Sequence, residues 1–139
     1  MKNTLCTAAG VVGSFIASLF GGWDTGIGTL VLFMVADFLS GLAVAGIFKR
    51  STKTKNGALE SKAGFKGLCR KGMTLLIVLV AYRLDLVIGT SYIRDTVIIG
   101  FIANELISIV ENAGLMGLPL PAVLAKAIDV LKKKAEVAE

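Results

Sequence analysis

The sequence predicts an all-α membrane protein with about four transmembrane helices and a short C-terminal amphipathic helix. Three observations predict it. Of the 139 residues, 55% are hydrophobic and 18% are charged, against about 25% charged in a typical soluble domain. The apolar residues fall into blocks near the ~20 residues that cross a ~30 Å hydrocarbon core. The charged residues gather in short segments between and after those blocks. The length accommodates one membrane domain over residues 1–139 and no second globular one.

The first span is drawn at residues 5–23, with Gly10, Gly13 and Ser14 lowering its apolarity. Gly, Ala and Ser are dispersed through it rather than gathered into a cleavage site, so it reads as a retained span and not a cleaved leader. The turn Gly21-Gly22-Trp23-Asp24 is very short, and Trp23 suits a membrane interface. The second span is residues 25–48, followed by a basic loop at 49–71. The third span is 72–90 and the fourth 96–114, with Tyr92 at the interface between them. Two glycines and two prolines within Gly114–Pro121 then break the chain. In the tail, residues 121–139, Leu124, Ala127, Ile128 and Leu131 recur at helical spacing with Lys126, Asp129 and Lys132 elsewhere. That pattern predicts a helix opened by Pro121, lying on the inner leaflet or in the cytoplasm.

Orientation follows from the basic residues. The 49–71 segment holds Lys49, Arg50, Lys53, Lys55, Lys62, Lys66, Arg70 and Lys71 against the single acid Glu60. The turn at Trp23 has no Lys or Arg, and the turn after the third span has only Arg94. Basic residues stay on the cytoplasmic side. The loop is therefore expected inside, and four spans place Lys2 and Lys132-Lys133-Lys134 inside as well. The expected location is a bacterial cytoplasmic membrane, multi-pass, N-in and C-in.

The net charge of +5 is thus read as membrane orientation and attraction to anionic inner-leaflet lipid, with no nucleic-acid partner. The chain has no histidine, which removes the commonest general base and most zinc sites. Cys6 and Cys69 lie in different segments with no C-x-x-C, so neither a disulfide framework nor a metal site is indicated. Gly26-Ile27-Gly28 and Gly64-Phe65-Lys66-Gly67 lack the rest of any nucleotide motif. No catalytic residue, cofactor or metal is expected.

Asp37, Arg83, Asp85, Asn104, Glu105 and Glu111 lie inside the expected spans. Each charge at a bilayer centre costs on the order of 3 kcal/mol, so such groups face protein or water. Asp37 lies ~17 Å from the inner end of its span and Arg83 ~18 Å from the inner end of the next, which permits an Asp37–Arg83 pair. Asn104, Glu105, Ser108, Glu111 and Asn112 project within about 120° of one another on the fourth span. This polar stripe, with Asp37, Arg83 and Asp85, supplies the candidates for an oligomer seam or a wet lesion; a static bundle interior explains the stripe equally well. Gly10, Ser14, Ala17 and Gly21 share one face, and Gly41 and Ala45 another, at spacing suited to close helix packing.

Four stretches resemble a known family. They are Asp37-Phe38-Leu39-Ser40-Gly41, the run Ser61 to Leu68, Leu84-Asp85, and Ala103 to Ala113 with Gly117-Leu118-Pro119-Leu120-Pro121. Together they resemble the phage-lysis and toxin-secretion holins over roughly residues 36–133; Arg83 is not part of that pattern. The resemblance implies a homo-oligomer that forms lesions in the cytoplasmic membrane. An endolysin, or in related members a toxin, then passes through without specific binding. No covalent chemistry is implied. Two alternatives from other classes remain: a small four-span proton-coupled multidrug-type transporter, and an antiholin or other regulatory membrane subunit.

Overall fold

Glycines and a few carboxylates set the helix ends in the computed structural model, which describes residues 1–137. Five helices and no strand are found among the described residues. The first, α1 (Lys2–Leu19), ends before Gly21 and Gly22, both at positive φ. The next, α2 (Thr25–Gly46), starts at Asp24, whose side chain accepts the Ile27 N–H at 3.0 Å. This satisfies one of the amide groups that a helix start leaves without a partner. The third, α3 (Ser61–Ile88), stops at Gly89 in the left-handed conformation. The fourth is α4 (Ile93–Leu115), followed by Gly117 at φ +90. The last, α5 (Ala122–Val137), begins directly after Pro121, as its fixed φ favours. Residues 138–139 of the expected tail lie outside the described residues.

Two expectations change. The basic segment 49–71 is not all loop: α3 begins at Ser61, so Lys62, Lys66, Arg70 and Lys71 ride on its first turns. Ser61–Leu68 contains no proline and stays helical through Gly64 and Gly67, and the chain turns at Gly57, at φ +76, whose carbonyl accepts the Ser51 N–H. The second change concerns the tail. Instead of standing apart, α5 folds back along α4, where Ala135 lies 3.8 Å from the position of a Cβ on Gly100.

The helix α4 is central, packing against α2, α3 and α5. Ile27, Leu30 and Met34 of α2, Val78 of α3, and Ile98 and Ile102 of α4 form the core, with Phe20, Leu75, Phe101 and Leu131 against it. The helix α1 buries no residue. Among the described residues, α2 alone is both long and apolar enough to cross a membrane by length and composition.

Candidate functional site

Lys71 stands between two carboxylates from different helices. Its Nζ donates to Asp37 Oδ2 on α2 and to Glu105 Oε2 on α4, each at 2.7 Å. All three side chains are at most 15% exposed. Asn112, about two turns beyond Glu105, donates through Nδ2 to Asp37 Oδ1 at 3.1 Å and to Ser40 Oγ at 2.8 Å. The backbone permits this approach because Gly41 on α2 offers no side chain, and its Cβ position lies 3.8 Å from Asn112 Nδ2. The group floors a cavity of about 460 Å³ between α2, α3 and α4, beneath the 51–54 segment. Ser108 also lines it, as do the basic residues Lys53, Lys66 and Arg70.

This geometry sorts the candidates. Asp37, Glu105, Ser108 and Asn112 come together around one cavity. Asn104 and Glu111, counted in the same stripe, are exposed on other sides of α4. The Asp37–Arg83 pair does not form within the chain: Arg83 is exposed, and Asp37 has Lys71 instead. The physical reason is register. Because α3 starts early and runs alongside the second half of α2, the residue level with Asp37 is Lys71, about 12 residues or ~18 Å before Arg83. The sequence places Lys71 at the end of a basic loop, which hides its role; its position one turn beyond Gly67 on a helical pattern is the signal that carries it.

Asp85 is buried, but it belongs to a different structure from the stripe. Its carboxylate accepts the Ile93 N–H at 3.0 Å, the Arg94 N–H at 2.8 Å and the Thr90 hydroxyl at 2.6 Å. It therefore caps α4 from the end of α3, a favourable place for a negative charge. Arg94, the lone basic residue of that turn in the sequence, has a structural role there. It is buried and donates to Asp24 Oδ2 at 2.7 Å, to Asp95 Oδ1 at 3.0 Å, and to the carbonyl oxygens of Phe20 and Gly22. The Arg94 hydrogen bond holds the Asp24 carboxyl below the usual carboxylate range. Gly21 is required here: at φ +84, a Cβ would meet the Tyr82 ring at 2.8 Å. Arg94 and Asp85 thus tie the α1–α2 turn to the α3–α4 turn.

The small-residue faces also divide. Gly41 lies in the α2–α4 contact beside Asn112, and Ala45 is buried. Gly10 has nothing within 4 Å, and Ser14 is exposed. No group of metal-ligating side chains occurs among the described residues. Chemically, the Lys71 group offers a charge-and-amide latch between three helices, with no activated nucleophile.

Comparison with known proteins gives a consistent result. An uncharacterized protein of Listeria monocytogenes is 41% identical over 124 residues, covering 88% of this chain and 83% of the relative. An uncharacterized protein of Clostridium perfringens is 34% identical over 137 residues, covering 96% of both chains. A protein of Bacillus phage phi105 named a probable holin is 27% identical over 104 residues, covering 74% of this chain and 71% of its own. No solved structure matches the chain significantly. The model of the bacteriophage holin family matches residues 14–133, and the chain belongs to that family.

Proposed function

We propose that this protein is a holin that accumulates as a multi-pass protein in a bacterial cytoplasmic membrane, assembles with copies of itself, and opens lesions that release an endolysin or a toxin. The observation that carries the reading is a polar group held among α2, α3 and α4 while the outer faces of α1, α2 and α3 carry large apolar side chains. Asp37, Lys71, Glu105 and Asn112 turn inward onto one another. Leu32, Val35 and Leu39 of α2, Leu76, Val80 and Leu84 of α3, and Leu5, Val12 and Phe15 of α1 are exposed. Large contiguous apolar surface of this kind suits lipid or a partner, not water. In this reading α1 to α4 are the spans, with N- and C-termini inside, and the basic residues of 49–71 and of the tail meet anionic inner-leaflet lipid.

Within a single copy, the Lys71 latch keeps Glu105 and Asn112 of α4 away from lipid. In a crowded assembly, exchange of these intramolecular partners for water would turn Glu105, Ser108 and Asn112 toward a wet lesion wall. A packed element with two alternative sets of partners behaves as a switch rather than a continuum. The exposed Gly10 and Ser14 face of α1 suits close packing with a second copy. The released protein passes through without a specific binding site, and no cofactor takes part.

One observation favours a second reading. Two carboxylates beside a cavity of about 460 Å³ also suit a small proton-coupled transporter, although Phe38 is the one aromatic residue lining it. Expression separates the readings. Induced with a cytoplasmic murein hydrolase that lacks an export signal, the protein should leave turbidity steady and then collapse it, earlier when an energy poison is added. Normal membrane levels without hydrolase release would sink the holin reading. Proton-driven substrate efflux would support the transporter. Delay of lysis by a separate holin would identify an antiholin.

A further inference from the structure

The outward faces of this molecule call for opposite surroundings. Those of α1, α2 and the second half of α3 are largely apolar, Arg83 excepted. That of α5 carries Lys126, Asp129, Lys132, Lys133, Lys134 and Glu136, all exposed. Yet α5 lies along α4, not apart from it. Ile128 is buried, Leu131 packs against the core that holds Ile98 and Ile102, and Ala135 sits beside Gly100. Gly100 is about 15 residues, or ~22 Å, from the end of α4 at Leu115, so α5 runs back over most of that helix. With α4 across a bilayer, a docked α5 would hold Lys132 and Asp129 level with the hydrocarbon core, where each charge is costly. The burial of Ile128 and Leu131 does not offset six such groups. In water the balance reverses, because docking hides the apolar stripe of α5 and the facing side of α4 at no cost to the charges.

We infer that α5 is a detachable cover, docked on α4 before that helix enters the bilayer and displaced onto the anionic membrane surface as it inserts. Lys132, Lys133 and Lys134 supply the attraction to anionic headgroups. The Gly114–Pro121 segment supplies the hinge, with Gly117 at φ +90. The side of α4 around Gly100 and Phe101 is then uncovered only inside the membrane, so it is unavailable for pairing in the cytosol. The inference rests on α4 being a span, and it adds the order of events.

A tether tests it. Gly100→Cys with Ala135→Cys, in a Cys6→Ser/Cys69→Ser background, places two thiols at a Cβ separation of 3.8 Å, inside the usual disulfide range of about 3.5–4.5 Å. The full chain is synthesised cell-free without lipid, oxidised, and offered to vesicles of phosphatidylethanolamine and phosphatidylglycerol. Insertion is read as the α3–α4 fragment protected from external protease. The bond should form in the lipid-free chain. The linked chain should then give at least about tenfold less protected fragment than the reduced chain. Reductant should restore it, which separates the tether from misfolding, and an already inserted chain should no longer form the bond. The inference is overturned by any of three results: no bond in the lipid-free chain, equal insertion of linked and reduced chains, or ready bond formation after insertion. If the reduced chain gives no protected fragment, α4 is not a span and the inference falls with that reading. If the reduced chain inserts but vesicles never release an entrapped hydrolase, the lesion reading fails and the cover stands.

Discussion

Replacing Lys71 with Met removes the ammonium that lies 2.7 Å from both Asp37 and Glu105 while keeping most of the side-chain volume. The consequence is asymmetric. Two carboxylates, 8% and 13% exposed, are left facing each other without a cation. Each ion pair is worth about 4 kcal/mol at 4 Å in a medium of effective dielectric near 20. Breaking a buried pair from one side costs about 3–5 kcal/mol, because the remaining charge stays buried. Glu105→Gln, by contrast, leaves a neutral Asp37–Lys71 pair and an amide able to accept the third helix's ammonium, a loss of about 1 kcal/mol. Lys71→Met should therefore lower the folded-to-unfolded ratio by roughly two orders of magnitude or more, and Glu105→Gln by less than about tenfold. The assay is denaturation of the purified chain in mild detergent, followed by circular dichroism, beside the time to turbidity collapse in expressing cells. Both variants should shift lysis timing, and Lys71→Met should shift it more. Equal stability of the two variants would refute the argument that Lys71 neutralises a shared pair. Unchanged timing and cross-linked oligomer size in both would reduce the group to a static bundle interior.

Asp85→Asn should weaken the cap on α4 and cost about 1–2 kcal/mol in the same denaturation assay, with a Thr90→Val change adding less than its separate effect because the two share one carboxylate. The Asp24 carboxyl titrates below its ordinary value because of Arg94, so its contribution is present above that ordinary value and is lost as pH falls through the lowered one. Asp24→Asn should remove that acid-range dependence, and since the Asp24 side chain is 52% exposed the effect should be small; an unchanged pH profile would deny the link. Cysteines placed at Lys53 and Lys133, in a chain without Cys6 and Cys69, should be shielded from an impermeant thiol reagent in intact cells, whereas one at Thr25 or Ser91 should react. Labelling at position 53 before lesions form would contradict the four-span orientation. Changing Lys132, Lys133 and Lys134 to Gln should alter lysis time but keep insertion, since the apolar helices and the other basic residues remain; complete loss of lysis at normal membrane levels would place the tail in the lesion itself.

The sequence by itself determined the number of helices and most of the breaks between them, the early start of α3 excepted, because apolar periodicity, Gly and Pro act over a few residues. It also determined that Asp37, Glu105 and Asn112 need partners, because a polar group in an apolar block has to be satisfied somewhere. It marked α5 as amphipathic, though not where its apolar stripe would dock. Which partner each buried group takes was decided only by tertiary structure. Asp37 meets Lys71 because an early start to α3 fixes its register against α2. Asp85 leaves the polar set because a tight turn through Gly89 brings the open end of α4 onto its carboxylate. Arg94 gains its role because the α1–α2 turn, with Gly21 close to Tyr82, lies across its side chain. Register and crossing depend on how loops fold and on which side chains fill the contact between helices. These are distances between residues tens of positions apart, which local composition does not encode.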